Sequence, residues 1–86
     1  MRLVFTDHGW ADYQHWVAHD RRTLKRLNRL IEDTLRSPYD GIGKPEPLQH
    51  LLAGSWSRRI DDEHRLVYLV DRGDLVVLQA RYHYTR

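Results

Sequence analysis

The chain has 86 residues, of which 14 are Lys or Arg, 12 are Asp or Glu, six are His and none is Cys. This length is too short for two ordinary domains, and such a chain buries only about 60–65% of its unfolded surface, so no deep enclosed pocket is expected. The absence of cysteine excludes a disulfide framework and a thiolate zinc site, and it fits a cytoplasmic protein in a reducing compartment. The hydrophobic fraction of 41% argues against disorder. No apolar run approaches the roughly 18 residues of a membrane span, and no signal peptide is predicted.

The positive charge is carried almost entirely by arginine. The formal net charge is +2, and Lys25 and Lys44 are the only lysines among the 14 cationic residues. The planar guanidinium of arginine matches phosphate in bidentate geometry and stacks on bases, which favours a nucleic acid or another phosphate-bearing partner. The alternative interpretation is that most of these side chains are solvated surface charges.

The first predicted elements are a short strand at residues 2–6 and a helix over about 8–18. Asp7 lies where a helix N-cap is expected, with Thr6 as the competing cap. Aromatic and apolar residues recur on one face of this helix, namely Trp10, Tyr13, Trp16 and Val17. This spacing predicts the apolar face of the helix.

A second helix is predicted from Asp20 to about Arg36. Its apolar stripe consists of Leu24, Leu27, Leu30, Ile31 and Leu35. Ser37-Pro38 ends it, because proline disfavours the helical conformation in the residue before it. The very short connection between the two helices predicts a helical hairpin.

The remainder of the chain predicts a loop region followed by strands. Residues 37–55 hold all three prolines, with a short helical turn expected at 47–52. Period-two patterning then predicts three strands, at 56–61, 64–71 and 74–83, with a tight turn at Asp71-Arg72-Gly73-Asp74. The middle strand is apolar on both faces. We therefore predict an α+β fold in one domain over residues 1–86, in which an N-terminal strand and a two-helix hairpin pack on an antiparallel sheet.

The most unusual local sequence is the loop that contains Lys44 and Glu46. Each of these residues precedes a proline and is expected to be extended. Glu46 is then a carboxylate on a stiffened backbone, as a positioned general base requires. The alternative is an exposed glutamate in a turn, without a catalytic role.

Two further groups of residues could carry chemistry. If the first hairpin turns around Asp62, Arg59 lies opposite Arg65, and two like charges in this arrangement suit a bound anion or acidic neighbours. Near the C-terminus, His83 can act as an acid at neutral pH, and Tyr84 can stack on a base or donate a hydrogen bond. Packing or simple exposure of these two residues is the alternative.

One apparent constellation is rejected. His8, Asp12, His15 and His19 share a face of the first helix, but four ligands along a straight helix cannot converge on one ion. We expect them to form a solvated polar face. The cationic run at residues 21–29 is likewise expected to be a solvated helix face that adds non-specific attraction for phosphate. No metal site and no cofactor are predicted.

A carboxylate, a histidine and two arginines are the minimal set for cleaving RNA without a metal ion. A base removes the proton of the 2′-hydroxyl, an acid protonates the leaving 5′-oxygen, and guanidinium groups stabilise the charge that builds on the phosphorus centre. The sequence contains no acidic cluster typical of two-metal catalysis and no phosphate-binding GxxxxGK[ST] loop.

Four motifs, in the same order, resemble the YoeB (Txe) toxins, which belong to the RelE-like superfamily of toxin–antitoxin modules. They are Gly43-Lys44-Pro45-Glu46-Pro47-Leu48, Gly54-Ser55-Trp56-Ser57-Arg58-Arg59-Ile60, Glu63-His64-Arg65-Leu66-Val67-Tyr68 and Arg81-Tyr82-His83-Tyr84. The resemblance extends over nearly the whole chain.

The resemblance implies a ribosome-dependent mRNA endonuclease, or mRNA interferase, that cuts mRNA in the A site of the 70S ribosome and is inhibited by a YefM-like antitoxin. It also implies a microbial-RNase-like α+β fold. By motif, Glu46 would be the general base and His83 the general acid. Arg65 would stabilise the phosphate with help from Arg59, and Tyr84 would help to position the substrate. Toxins of this type can also form homodimers.

Two departures from the family pattern concern the neighbourhood of the site. Members often carry lysine where this chain has Gln49, and they commonly end at the His-Tyr pair, whereas this chain continues with Thr85-Arg86. Lys44 and the cations of the second helix are expected to contact ribosomal RNA or an acidic antitoxin. Two alternatives to the nuclease stay open: a toxin of the same fold that acts by binding, as ParE-like gyrase inhibitors do, and a basic nucleic-acid-binding module.

Overall fold

The computed structural model describes residues 1–83, and Tyr84, Thr85 and Arg86 lie outside the described residues. Five strands form one sheet: β1 (Leu3–Phe5), β2 (Glu46–Pro47), β3 (Trp56–Arg59), β4 (Arg65–Asp71) and β5 (Asp74–Gln79). Their order across the sheet is β1-β5-β4-β3-β2. β1 pairs with β5 in parallel, and the other neighbours are antiparallel. The predicted α+β fold is confirmed, and β4, the strand that is apolar on both faces, lies at the centre.

Two helices, α1 (Asp7–His19) and α2 (Arg21–Arg36), form the predicted hairpin. Asp20 is the only residue between them: its backbone N–H donates to Trp16 O at 3.0 Å, and its carboxylate accepts from Thr23 N–H at 3.0 Å. Thr6, rather than Asp7, is the N-cap of α1, with its hydroxyl oxygen accepting from Gly9 N–H at 3.0 Å. Asp7 instead occupies the first turn, where a carboxylate suits the positive end of the helix dipole.

The core lies between the helices and one face of the sheet. Its buried residues are Trp16, Leu27, Leu30, Ile31, Ile60, Leu66, Tyr68, Leu75, Val77 and Ala80. The apolar stripe predicted for α2 is confirmed. The stripe predicted for α1 is only partly correct, because Trp10 and Val17 are 48% and 51% exposed and only Trp16 is buried. The reason is that α1 contacts β5 along a narrow line, on which Gly9 and Asp12 are the other buried residues.

Two segments differ from the expected secondary structure. Residues 47–52 do not form the expected helical turn: Pro47 belongs to the short edge strand β2, where proline is tolerated, and residues 49–52 are bends. The predicted strand 74–83 ends at Gln79, since side chains of other elements hold the backbone beyond it. The hairpin turn at Arg72 and Gly73 is confirmed, with φ angles of 52° and 80°. Within residues 1–83, neither helix has the length and apolar character needed to cross a membrane.

Candidate active site

The face of the sheet that the helices leave uncovered carries the predicted site residues of the strands. Residues paired across antiparallel strands share a face, and faces alternate along each strand. Glu46 pairs with Ser57, Ser57 with Val67, and Arg59 with Arg65. The residues between them on β3 and β4 point into the core or its buried margin. Glu46, Arg59 and Arg65 therefore lie together on the open face, and the predicted pairing of Arg59 with Arg65 is confirmed.

Arg65 is enclosed although it lies on the open face. The residue is only 8% exposed, and its Nη2 lies 3.5 Å from His83 Nε2. Within residues 1–83, its Nε and Nη1 have no hydrogen-bond partner. A guanidinium keeps its charge in proteins, and N–H groups of this kind pair with carboxylate or phosphate oxygens. Within the described residues, the charge of Arg65 is therefore incompletely paired on this face.

His83 reaches the same place from the end of the described chain. It is exposed and follows Tyr82, whose backbone has a φ of 63°. This left-handed conformation redirects the chain after β5, so that His83 approaches Arg65 from beside the sheet rather than as part of a strand. The predicted strand 74–83 therefore does not extend to His83. Tyr84, the remaining predicted site residue, lies outside the described residues.

Glu46 and Lys44 have different backbone conformations. Glu46 is extended and exposed on β2, as expected. Lys44 is also exposed, but its φ of 54° places it in the left-handed region, so the prediction of an extended Lys44 is wrong. The preceding Gly43 is packed so tightly that a Cβ there would lie 2.6 Å from Leu30 Cδ2, and its carbonyl accepts from Arg59 N–H at 2.6 Å. The chain turns away from these contacts at Gly43, and the turn continues through Lys44, which also has a positive φ angle.

The loop that leads to Lys44 and Glu46 is anchored by Arg58, a residue that sequence reasoning did not single out. Arg58 is fully buried, and its Nη1 donates to Asp33 Oδ2 at 2.6 Å. Its other hydrogen bonds are to Tyr68 Oη, Ile42 O, Ser37 O and Asp40 O. Hydrogen bonding to Arg58, and then to Ile42 N–H, lowers the pKa of the Asp33 carboxyl. Burial raises the pKa of the Tyr68 hydroxyl.

A signal for Arg58 was present in the sequence. Arg58 alternates with Trp56 and Ile60, so period two places it on their apolar face. A cation at such a position requires a buried acceptor. The sequence does not identify that acceptor, because Asp33 lies 25 residues away on α2.

The polar face predicted for α1 is not uniformly solvated. Asp12 is only 8% exposed, and its Oδ2 accepts from Ala80 N–H at 3.0 Å. The expectation that Asp12 is solvated is therefore wrong, because the chain beyond β5 covers it. The ring centroids of His15 and His19 lie 4.7 Å apart, and burial followed by the charge of Arg81 lowers the pKa of His15. Among residues 1–83, no three His, Asp or Glu side chains are placed to hold a metal ion together.

Comparison with known proteins gives a consistent result over the whole chain. Residues 5–84 match a family described as "YoeB-like toxin of bacterial type II toxin-antitoxin system". The "Toxin YoeB" of Streptomyces coelicolor is 61% identical over 84 residues, covering 98% of this chain and 100% of that protein. The matched range includes every residue of the four motifs quoted above.

Solved structures agree with the sequence relatives. A "YoeB/ParE toxin from Agrobacterium tumefaciens" has a TM-score of 0.93 and 48% identity, covering 98% of this chain and 100% of that chain. Two similar structures come from Staphylococcus aureus, and each covers 98% of both chains. One is a "YoeB-YefM complex" with a TM-score of 0.87 and 36% identity, and the other is a "YoeB dimer" with a TM-score of 0.89 and 38% identity.

Proposed function

The chain belongs to the YoeB-like toxins of bacterial type II toxin–antitoxin systems, and from that premise we propose that it is a ribosome-dependent mRNA endonuclease that inhibits translation. The observation that carries the proposal is the meeting of Arg65 and His83 at 3.5 Å on the face that also bears Glu46. An inhibitor that acts by binding alone needs no general acid beside an anion-binding arginine.

The proposed reaction is an attack of the 2′-oxygen on the adjacent phosphorus. Glu46 takes the proton of the 2′-hydroxyl, and His83 gives a proton to the departing 5′-oxygen. The bond to the 5′-oxygen breaks as the new bond forms, leaving a 2′,3′-cyclic phosphate and a free 5′-hydroxyl. Arg65 stabilises the negative charge on the non-bridging oxygens through the charge of its guanidinium, with Arg59 beside it. This chemistry requires no cofactor.

The spacing of the strands suits this division of roles. β3 lies between β2, which carries Glu46, and β4, which carries Arg65. Neighbouring strands are about 4.8 Å apart, so the backbones of β2 and β4 lie about 10 Å apart. A ribose and its phosphate fit between side chains that approach from both sides. Lys44 is exposed in the loop preceding Glu46 and is placed to contact RNA backbone outside the reacting group.

Dependence on the ribosome follows from the openness of the site. Glu46, Arg59 and His83 are all exposed to solvent. Orientation of the reacting groups supplies much of a catalyst's power, and the ribosome can provide it by holding the codon in the A site. Action on translating ribosomes also places the protein in the cytoplasm. Naked, unstructured RNA is therefore expected to be cut only weakly.

The test is translation of a defined mRNA in a purified system, with cleavage positions mapped by primer extension. His83→Gln and Glu46→Ala should each reduce ribosome-dependent cleavage by about 10²–10⁴-fold while ribosome binding is retained. His19→Gln and Glu32→Ala, both exposed on the helices, are matched controls and should cleave normally. Full cleavage by both site variants would overturn the assignment of acid and base.

The ParE-like alternative has support from the similar structure described as a "YoeB/ParE toxin from Agrobacterium tumefaciens". A gyrase inhibitor would block DNA supercoiling in a purified assay and would not depend on His83 or Glu46. Inhibition of gyrase without any mRNA cleavage would favour this function over the nuclease.

We also propose two protein partners, by extension from the staphylococcal structures of YoeB with YefM and of a YoeB dimer. A YefM-like antitoxin encoded beside this chain would be a small acidic protein, in keeping with the basic pI of about 9.2. A homodimer would appear in light scattering at micromolar concentration as twice the mass of 10.4 kDa.

A further inference from the structure

The backbone beyond β5 is held mainly by side chains, together with one backbone hydrogen bond from Arg65 of β4. Pairing of β4 with β5 stops at Val67 and Gln79, and the chain then continues through Ala80, Arg81 and Tyr82 to His83. An irregular segment at the end of a chain is usually poorly ordered unless it is tied down. The contacts that fix this one come from α1, from His64 and from Arg65 at the start of β4, and from the side chain of Gln79, whose Nε2–H donates to Arg81 O at 2.9 Å.

Asp12 and Trp16 of α1 bind both polar groups of one peptide residue. Asp12 Oδ2 accepts from Ala80 N–H at 3.0 Å, and Trp16 Nε1–H donates to Ala80 O at 2.7 Å. Asp12, Trp16 and Ala80 are 8%, 5% and 0% exposed, so water does not compete for these bonds. The two side chains replace the ladder of hydrogen bonds that the strand has lost.

The side chain of His64 binds the backbone at Tyr82, two residues after Ala80. Its Nδ1 accepts from Tyr82 N–H at 2.6 Å, while the backbone N–H of Arg65 donates to Tyr82 O at 3.0 Å. His64 is 9% exposed, and its imidazole packs edge-on against Trp16, with ring centroids 4.8 Å apart. Because Nδ1 is an acceptor, the ring proton is on Nε2, which lies 3.6 Å from Glu63 Oε1.

These bonds hold Tyr82 in a conformation that a non-glycine residue rarely adopts. Its φ of 63° is unfavourable by itself and persists only where the surroundings fix it. The turn at Tyr82 directs His83 towards Arg65, where Nε2 comes within 3.5 Å of Nη2. The position of His83 therefore depends on the contacts that Ala80 and Tyr82 make.

We propose that Asp12, Trp16 and His64 are positioning residues, a cradle that binds the backbone of residues 80–82 and thereby sets His83 over Arg65. The consequence for cleavage rests on the proposed nuclease function, whereas the consequence for the position of His83 does not. None of the three cradle residues touches the reacting atoms, so each acts through the peptide chain.

Variants at His64 separate its hydrogen bond from its packing. In His64→Asn the amide oxygen lies near the position of Nδ1 and can accept from Tyr82 N–H, whereas His64→Phe keeps a ring against Trp16 without an acceptor. Single-turnover cleavage on ribosomes gives the rate at saturating toxin and the toxin concentration for half that rate. We expect His64→Phe to lower the saturating rate about 100-fold, since small displacements of a catalytic group cost this much. The half-saturating concentration should stay within about threefold of wild type, and His64→Asn should recover most of the rate.

A second readout does not depend on activity. In ¹H–¹⁵N spectra of the intact chain, His64→Phe should speed hydrogen exchange of the Tyr82 amide and shift the imidazole signals of His83, and His64→Asn should do neither. If wild type cleaves no mRNA, the nuclease proposal fails, while the spectra still test the cradle. Equal rates in wild type and His64→Phe, or unchanged Tyr82 exchange and His83 signals, would overturn the proposal.

Trp16→Phe provides an independent variant if His64→Phe does not fold. It removes the Nε1–H donor to Ala80 O and retains an aromatic ring in the core. The same loss of rate and the same shift of the His83 signals are expected. Wild-type behaviour of a folded Trp16→Phe chain would count against the cradle.

Discussion

Arg58 and Arg59 are adjacent in the sequence, yet strand alternation sends them to opposite faces of the sheet. Arg58 is fully buried and hydrogen-bonded to Asp33 and to carbonyls of the 37–42 loop, whereas Arg59 is exposed on the open face. The first therefore stabilises the loop that leads to Lys44 and Glu46. The second is available to RNA.

Replacing these two arginines should separate stability from activity. Arg58→Met leaves the Asp33 carboxylate without its buried partner and should lower the free energy of unfolding by about 3 kcal/mol. Arg59→Met should change it by less than about 0.5 kcal/mol. We expect Arg59→Met to weaken ribosome-dependent cleavage about 10-fold to 100-fold, the equivalent of one charge-assisted hydrogen bond.

Urea unfolding followed by circular dichroism measures the first effect, and primer extension on translating ribosomes measures the second. If both variants lost the same amount of stability, the burial of Arg58 would not explain its role. Full cleavage by Arg59→Met would remove Arg59 from the site.

Single residues also mark the limit of what the sequence predicts about the site. The pairing of Arg59 with Arg65 could be predicted, because a tight hairpin at residues 60–64 fixes the register of two short strands. The meeting of Arg65 with His83 could not, since it depends on the left-handed conformation of Tyr82 and on the contact with His64 that holds it. Local patterns carry no information about such a contact.

At the scale of elements, α1 and β5 approach each other so closely that the first turn of the helix excludes a side chain. Gly9 lies at this contact, and a Cβ added there would be 2.3 Å from Val77 O. The same carbonyl accepts from Thr6 N–H at 3.1 Å, so it cannot retreat without breaking the junction between β1 and α1. The contact fixes how α1 lies on the sheet, and thus where Asp12 and Trp16 meet Ala80.

Gly9→Ala should therefore destabilise the protein although alanine is the better helix former. The intrinsic gain is about 1 kcal/mol. Moving the helix off β5 should cost more, giving a net loss of about 1–3 kcal/mol in the free energy of unfolding. At the exposed Ala11, two residues along the same helix, Ala11→Gly should lose about 0.5–1 kcal/mol through helix propensity alone. Urea unfolding of the three chains provides the measurement, and a stabilised Gly9→Ala chain would contradict the close contact.

Elements with strong local signals were predictable, and elements defined by their neighbours were not. α2 has an aspartate cap, an apolar stripe and a Ser-Pro end, and the β4–β5 turn has a glycine at a positive φ angle. β2 is only two residues long and exists because Glu46 and Pro47 lie against β3. The end of β5 is set by side chains of α1, which lie more than 60 residues away in the chain.

For the whole molecule, three carboxylates stabilise the fold in their ionised form, one at a helix cap and two between distant parts of the chain. Hydrogen bonds from Thr23 lower the pKa of Asp20 at the start of α2. Arg58 lowers the pKa of Asp33, and Arg2 lowers that of Asp74, joining β1 to the β4–β5 hairpin. The fold therefore relies on negative charges placed among a surplus of arginine, even though its net charge is only +2.

The stability of the whole chain should accordingly fall at acid pH. A carboxyl whose pKa is lower in the folded state binds its proton more readily when unfolded, so its contribution is fully present above the ordinary value of about 4 and is lost as the pH falls through the folded value. His15, whose pKa is also lowered, adds a shallow loss that begins below about pH 6.5, because the unfolded chain takes up that proton first. Urea unfolding between pH 8 and pH 3 should show both the shallow loss of stability from His15 and, at lower pH, the loss from the carboxyl groups.

The variant Asp33→Asn tests whether the Asp33 carboxylate contributes to the loss of stability at acid pH. The variant should be less stable than wild type at pH 7, and the difference should shrink below about pH 4, because the unfolded wild-type chain takes up a proton on this carboxyl before the folded chain does. Asp74→Asn is the matched control, since the side chain of its partner Arg2 is 84% exposed and solvent weakens that pair. Its difference from wild type should be smaller at every pH. A difference between wild type and Asp33→Asn that stayed constant down to pH 3 would mean that the charge of Asp33 does not stabilise the loop, and that Arg58 anchors it through the carbonyl groups alone.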